Sequence, residues 1–262
     1  MRVLSFCKIV EIFTLTEVLI TLVIVGVIAA ITVPTLITKY QKEQTVTRLK
    51  KAYSTLSQTT LKAIADYGPI KTWDILDENS ADTTKIFVNK YITPYLNTAK
   101  PAQTREEGNW NTTYYYMNGS RRDYDDSVFV RFYLSDGTSY TLSYVLNETV
   151  NRYQVWVDIN GDKKPNKIGR DIFLYYYNII NTPDLAGKFI PEGYGNERSY
   201  MLEEGNYKCH KNSDGCRCAV VIMKDGWQIK DDYPWQNTTK RVPESTLCCF
   251  SIFSTKSNCF VL

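Results

Sequence analysis

The stretch VDINGDKKPNKIGRD, residues 157–171, carries side-chain oxygens at short intervals. Asp158, Asn160 and Asp162 recur at every second residue, Gly161 permits a tight turn, and Asn166 and Asp171 add two further donors. Carboxylate and amide oxygens in such a row are the hard ligands that calcium takes, about six to eight at a time. The order is not that of an EF-hand, because Gly161 precedes Asp162 and no matching glutamate follows. Lys163, Lys164 and Lys167 bring positive charge into the same loop. The competing expectation is a turn in which the Asp and Asn side chains cap backbone amides. Calcium and turn capping both stand at this point.

A second group able to do chemistry is the cysteines. Of seven, Cys7 stands near the start, while Cys209, Cys216, Cys218, Cys248, Cys249 and Cys259 crowd the C-terminal end. An even set gathered at one end reads as a disulfide framework from an oxidising compartment. Six cysteines allow 15 connectivities, so no pairing follows from sequence. The alternatives are free thiols, or a zinc site built from Cys209, His210, Cys216 and Cys218. Zinc ribbons usually bring two separated Cys-x-x-Cys pairs, and neither occurs here.

Enzyme chemistry finds little support. The one histidine, His210, is next to Cys209 in sequence, which does not make a nucleophile–base pair in space. No glycine-rich phosphate loop, Gly-x-Ser-x-Gly or His-Glu-x-x-His is present. The acid pairs Glu203-Glu204 and Asp231-Asp232 read as solvated charge. With 31 basic and 28 acidic residues, the net charge of +3 gives no nucleic-acid footprint. The reading is of a chain that is not an enzyme.

The elements that position these groups begin with an apolar run. Residues 18–37 contain no charge. At about 1.5 Å per residue they span about 30 Å, the thickness of a bilayer core. A secretory signal would have a shorter apolar region, and a buried core helix would show a polar face. A single membrane-spanning helix is therefore expected. Arg2 and Lys8 before it and Lys39 and Lys42 after it do not fix its orientation, but the cysteines place the C-terminal part outside the cytosol. Pro34 predicts a kink near the outer end, with Thr32 and Thr35 at hand to satisfy the freed carbonyl. Glu17 stands at the lip of the run. It either faces water at the interface or requires a positive partner at the same depth.

The helical pattern continues past the membrane. Val46, Leu49, Tyr53, Leu56, Thr60, Ile64 and Tyr67 step by three or four residues, and Gly68-Pro69 ends the pattern. One long helix over roughly residues 14–67 is expected, its outer half packed on a sheet. A short helix is expected around residues 83–91 and a turn at Pro94, while residues 98–126 read as loops or short strands. Val128, Val130, Phe132 and Leu134 alternate with other residues as in a half-buried strand. Asp136-Gly137 is a hairpin turn. Tyr140 to Leu146, and Val155, Val157 and Ile159, continue an antiparallel meander with one face on the helix and one in solvent. The fold class is α+β.

The segment Phe13-Thr14-Leu15-Thr16-Glu17, followed by the apolar run and Pro34, resembles the N-terminus of type IV pilins and type II secretion pseudopilins. The Asp-x-Asn-Gly-Asp loop and the stretch DGWQIKDDYPW, with Trp227, Ile229, Tyr233 and Trp235 as core or edge aromatics, also resemble heads of bacterial pilin-like proteins. The resemblance implies a leader at residues 1–12, removed by a prepilin peptidase between Ile12 and Phe13, with methylation of the new Phe13 amine. The family has glycine before the cut, where this chain has Ile12, and Thr16 stands where an aliphatic residue is commoner. Cleavage would also remove Cys7 and leave six cysteines. The resemblance further implies that Glu17 pairs with the Phe13 amine of a neighbouring subunit in a filament core.

The implied organisation is a leader (1–12), the membrane half of the helix (13–37), its amphipathic half (38–67), a pilin-like head (68–235) and a cysteine-containing extension (236–262). The implied role is a structural subunit, held in the bacterial inner membrane with its head in the periplasm or outside. An assembly platform and a separate ATPase then draw it into a secretion filament or pilus with other pilin-like subunits. Two other readings remain open. One is a minor pilin whose head binds a surface, a secreted substrate or DNA. The other is an unprocessed membrane anchor carrying an extracytoplasmic head.

Overall fold

The structure is a computed structural model, and it describes residues 14–74, 79–110, 112–122, 126–146, 151–178 and 188–235. The leader, the Ile12–Phe13 junction, and the extension with Cys248, Cys249 and Cys259 lie outside the described residues.

Helix α1 (Leu15–Tyr67) is a single element of 53 residues, about 80 Å long by rise per residue. It runs unbroken through Pro34, so the expected kink does not interrupt it. The Thr32 hydroxyl donates to the Ile28 carbonyl and the Thr38 hydroxyl to the Pro34 carbonyl, each at 2.9 Å. From Thr14 to Ile37 almost every residue is exposed. This is a helix long and apolar enough to cross a membrane.

The outer half of α1 buries one stripe: Thr45, Leu49, Ala52, Leu56, Thr59, Thr60 and Ala63. Val46, Tyr53 and Ile64 flank it, while Tyr67 is exposed and does not extend it. The stripe lies on a six-stranded antiparallel meander in sequential order. Its strands are β1 (Thr98–Thr104), β2 (Val130–Leu134), β3 (Ser139–Leu146), β4 (Asn151–Asp158), β5 (Ile172–Asn178) and β6 (Phe189–Pro191). Among the described residues the head also has four short helices: α2 (Ala81–Phe87), α3 (Arg105–Gly108), α4 (Arg198–Leu202) and α5 (Cys218–Lys224). A π turn over Val88–Ile92 and a 3-10 turn over Thr93–Tyr95 follow α2, where the short helix and the Pro94 turn are expected.

The inner face of the sheet is aromatic. Phe132, Tyr140, Tyr144, Tyr153, Phe173, Tyr175 and Tyr177 are all essentially without solvent contact. A buried phenol must place its hydroxyl on a partner. The Tyr140 hydroxyl donates to the Ala52 carbonyl of α1 at 3.0 Å, and the Tyr177 hydroxyl meets that of Thr60 at 2.9 Å. Thr60 and the Ala52 carbonyl of the helix stripe thus answer the polar ends of two of the sheet's tyrosines.

The outer face is not open to solvent as the meander pattern implies. Phe129, Trp156, Ile172, Leu174 and Tyr176 form a second, smaller core with Tyr114, Ile168 and Cys216. The apolar side chains of β4 and β5 point both ways, which requires cover on both faces. Val128 falls in a 3-10 turn before β2 rather than in the strand.

Leu56 is fully buried under the sheet, and Leu61, on the opposite face of α1, is 66% exposed. Leu56→Ala is expected to lower head stability by about 2–5 kcal/mol. Leu61→Ala should change it by no more than about 0.5 kcal/mol. Thermal melts followed by near-UV circular dichroism check the pair; equal losses would mean that the helix does not pack through this stripe.

Candidate functional site

The two ends of the head–helix unit carry the candidate residues. At the start of α1, Thr14 is the N-cap. Glu17 Oε2 accepts from the Thr14 amide and hydroxyl, each at 2.9 Å, and the Glu17 amide donates to Thr14 Oγ1 at 3.3 Å. This is a capping box, in which two otherwise unpaired donors are satisfied reciprocally. Its Thr-x-x-Glu signature is present in the sequence ahead of an apolar run. Glu17 is exposed, so its carboxylate closes its own helix and still faces outward.

The loop joining β4 to β5 contains the five oxygen-bearing residues, and the structure brings four of them together. Asp158 Oδ1 accepts from the Asn160 amide at 3.1 Å. Asp171 Oδ2 accepts from the Asn166 amide at 2.8 Å and from Asn160 Nδ2 at 3.3 Å, while Oδ1 accepts from the Lys167 amide at 2.6 Å. The Asp171 carbonyl accepts from the Ile159 amide at 2.9 Å, closing the loop at its base. The capping expectation is therefore met. Asn166 adopts a left-handed conformation with φ 53°, which asparagine tolerates better than most residues.

Asp162 does not join them. Its carboxylate takes the Tyr133 hydroxyl at 2.8 Å, the Thr112 hydroxyl at 2.9 Å and Arg131 Nη1 at 3.4 Å. Arg131 is buried on the outer sheet face, where it also meets Thr141 and the Tyr114 hydroxyl and stacks over Trp110. An arginine in mid-strand holds no visible signal that it captures this particular acid. Lys163 and Lys164 are exposed.

Capping leaves oxygens over. Asp158 Oδ2, Asn160 Oδ1 and Asn166 Oδ1 are buried and have no hydrogen-bond partner. Burial, followed by the nearby Asp171 charge, pushes the Asp158 carboxyl up to about 8. Burial also raises Asp171, to about 6, against the amide hydrogen bonds from Lys167 and Asn166. Among the described residues no three His, Cys, Asp or Glu side chains gather as a metal set.

The same loop touches α1, the C-terminal aromatic stretch and the segment around Tyr115. The Arg170 carbonyl accepts from the Thr45 hydroxyl of α1 at 3.4 Å, and its guanidinium donates to Gln41 at 3.1 Å and lies over Trp235. The Tyr233 hydroxyl donates to the Gly169 carbonyl. Tyr115 exchanges backbone bonds with Asn166 and Ile168, each at 2.9 Å. Tyr233 is buried, and Trp227, Ile229 and Trp235 pack against the main core, as expected of that aromatic stretch.

Of the cysteines, Cys209 and Cys218 form a disulfide. Their sulfurs are thereby withdrawn from the zinc set considered with His210. Cys216 is buried and bonds no described cysteine.

Gly169 explains why the loop needs glycine there. Its φ is +79°, and a Cβ would lie 2.2 Å from Met117 Cε and 2.8 Å from Cys218 Sγ. Gly137, with φ +87°, has open space around it. Gly169→Ala is expected to cost about 1–3 kcal/mol beyond the backbone strain that both positions share. Gly137→Ala should cost only that strain, about 1–2 kcal/mol. Chemical denaturation of the two variants checks this, and equal losses would remove the crowding argument.

No curated protein and no solved structure matches the chain. A family of unknown function (DUF6613) matches residues 35–237, from the outer part of α1 through the head to the end of the aromatic stretch. The chain belongs to that family.

Proposed function

We propose that this protein is a pilin-like structural subunit of a bacterial secretion filament or type IV pilus, held in the inner membrane by α1 before assembly, with its head in the periplasm. The observation that carries the reading is the division of α1. Residues 45–63 bury a stripe against the sheet, whereas Leu15, Leu22, Val23, Ile31 and Leu36 each expose more than 60% of their surface. Apolar surface on this scale is covered by lipid or by another protein. A rod rigidly continuous with the head can be covered by lipid first and by copies of itself later.

The position of Glu17 supports the same reading. Its carboxylate is exposed at the very start of the apolar rod. A carboxylate entering apolar surroundings needs a cationic partner, and the Phe13 amine of an adjacent subunit supplies one at matching depth. Ile12 in place of glycine favours one alternative, an anchor that keeps its leader.

Mass spectrometry of the native protein is expected to find Phe13 as the first residue, carrying an N-methyl group. Intact Met1–Ile12 would instead establish the unprocessed anchor. Glu17→Ala is expected to abolish filaments while leaving the melting temperature of the head unchanged. Removing the capping box costs the first helical turn about 1 kcal/mol, too little to account for lost assembly. Undiminished filaments would sink the charge-pairing account.

A further inference from the structure

We propose that the β4–β5 loop binds one calcium ion, with Asp158, Asn160, Asn166 and Asp171 as its protein ligands, and that the ion fixes α1 and the C-terminal aromatic stretch to the head. The proposal does not depend on the filament reading.

Three buried acceptor oxygens without a donor occur in this one loop: Asp158 Oδ2, Asn160 Oδ1 and Asn166 Oδ1. Asp158 is 4% exposed and Asn166 8%, so water does not reach them freely. Buried acceptors are ordinarily paired, and an exception calls for a bound water or ion. All three orphans here are acceptors, and they lie on residues linked through the Asp158–Asn160, Asn160–Asp171 and Asn166–Asp171 hydrogen bonds. A site that is rich in acceptors and poor in donors is complementary to a cation.

Asp158 and Asp171, 4% and 3% exposed, place two buried carboxylates in the same loop.

The donor set is all oxygen, two carboxylates and two amides, which excludes the nitrogen and sulfur preference of zinc. A set of hard oxygens completed by water suits calcium, whereas magnesium demands a near-ideal octahedron. Asn160, Lys164 and Asp171 also line a cavity of about 160 Å³ against Gln41, Thr45 and Arg48 of α1, which gives an ion and its waters an approach. Because Arg170 holds Thr45, Gln41 and Trp235, ordering the loop orders its attachments.

The test uses the full chain purified in detergent and stripped with EGTA. Calorimetric titration with calcium chloride is expected to give one ion per chain. Calcium at about 100 times its dissociation constant should raise the melting temperature by roughly 5–10 °C over EGTA. Magnesium at the same concentration should not. Asp158→Asn keeps the shape and the bond from the Asn160 amide, and should weaken calcium at least about tenfold, because ligand charge sets affinity. Asn166→Gly keeps the left-handed backbone and should also lose the calcium-dependent rise. Both variants should show a cooperative melt in EGTA, which distinguishes loss of a ligand from loss of the fold. Superimposable wild-type melts in calcium and EGTA would overturn the proposal. So would an equal response to magnesium, or variants that retain the full rise.

Discussion

Asp171 occupies the point where the β4–β5 loop returns to the sheet, and its carboxylate holds the loop's shape. Two backbone amides, from Asn166 and Lys167, and the Asn160 side chain all end on its two oxygens. Remove those acceptors and three buried or partly buried donors lose partners, each at a cost of up to about 1–3 kcal/mol. What the loop then presents outward follows from this. The carbonyls of Gly169 and Arg170 are offered to Tyr233 and Thr45, so the C-terminal stretch and α1 both attach to a segment whose geometry one side chain determines.

The second constraint is the double duty of α1. One face of its outer half is a floor for the sheet, and small or hydroxylated residues at Thr45, Ala52, Thr59, Thr60 and Ala63 let that floor approach closely. The sheet answers with tyrosines rather than leucines. Their rings fill the space between the layers, and the hydroxyls of Tyr140 and Tyr177 reach the helix itself. Tyr53 lies among Tyr175, Phe189 and Trp227, with ring centroids 5.5–5.7 Å away, so strands β5 and β6 and the aromatic stretch meet on one side chain of the helix. Aromatic contacts of this kind add specificity to plain burial.

Much of the architecture is legible in the residues because it rests on periodicity. The three- and four-residue steps from Val46 to Ile64 and the alternation in β2, β3 and β4 survive into the structure. Strand β1 is legible only as loop or short strand, because Thr-Ala-Lys-Pro-Ala-Gln-Thr has neither alternation nor β-rich composition. It is an edge strand with shifted register, the place where a proline is tolerated. The second core escapes notice because its cover, Tyr114 and Cys216, comes from distant segments. At the candidate loop the residue types were visible but their division was not. Asp162 looks like its neighbours in sequence, and only the fold places Arg131 and Tyr133 within its reach. The Cys209–Cys218 pairing likewise depends on which segments the chain brings together.

The tyrosine hydroxyls that rest on Ala52 and Thr60 have a mechanical meaning. They join the sheet to the buried stripe at two points, eight residues apart along the long axis of the rod. A pull along that axis therefore loads them, and the packed rings between them, all together in shear rather than one after another as in peeling. Tension applied at the far apolar tip reaches the globular part as a distributed load, and the head can be carried by its rod without being unravelled from it.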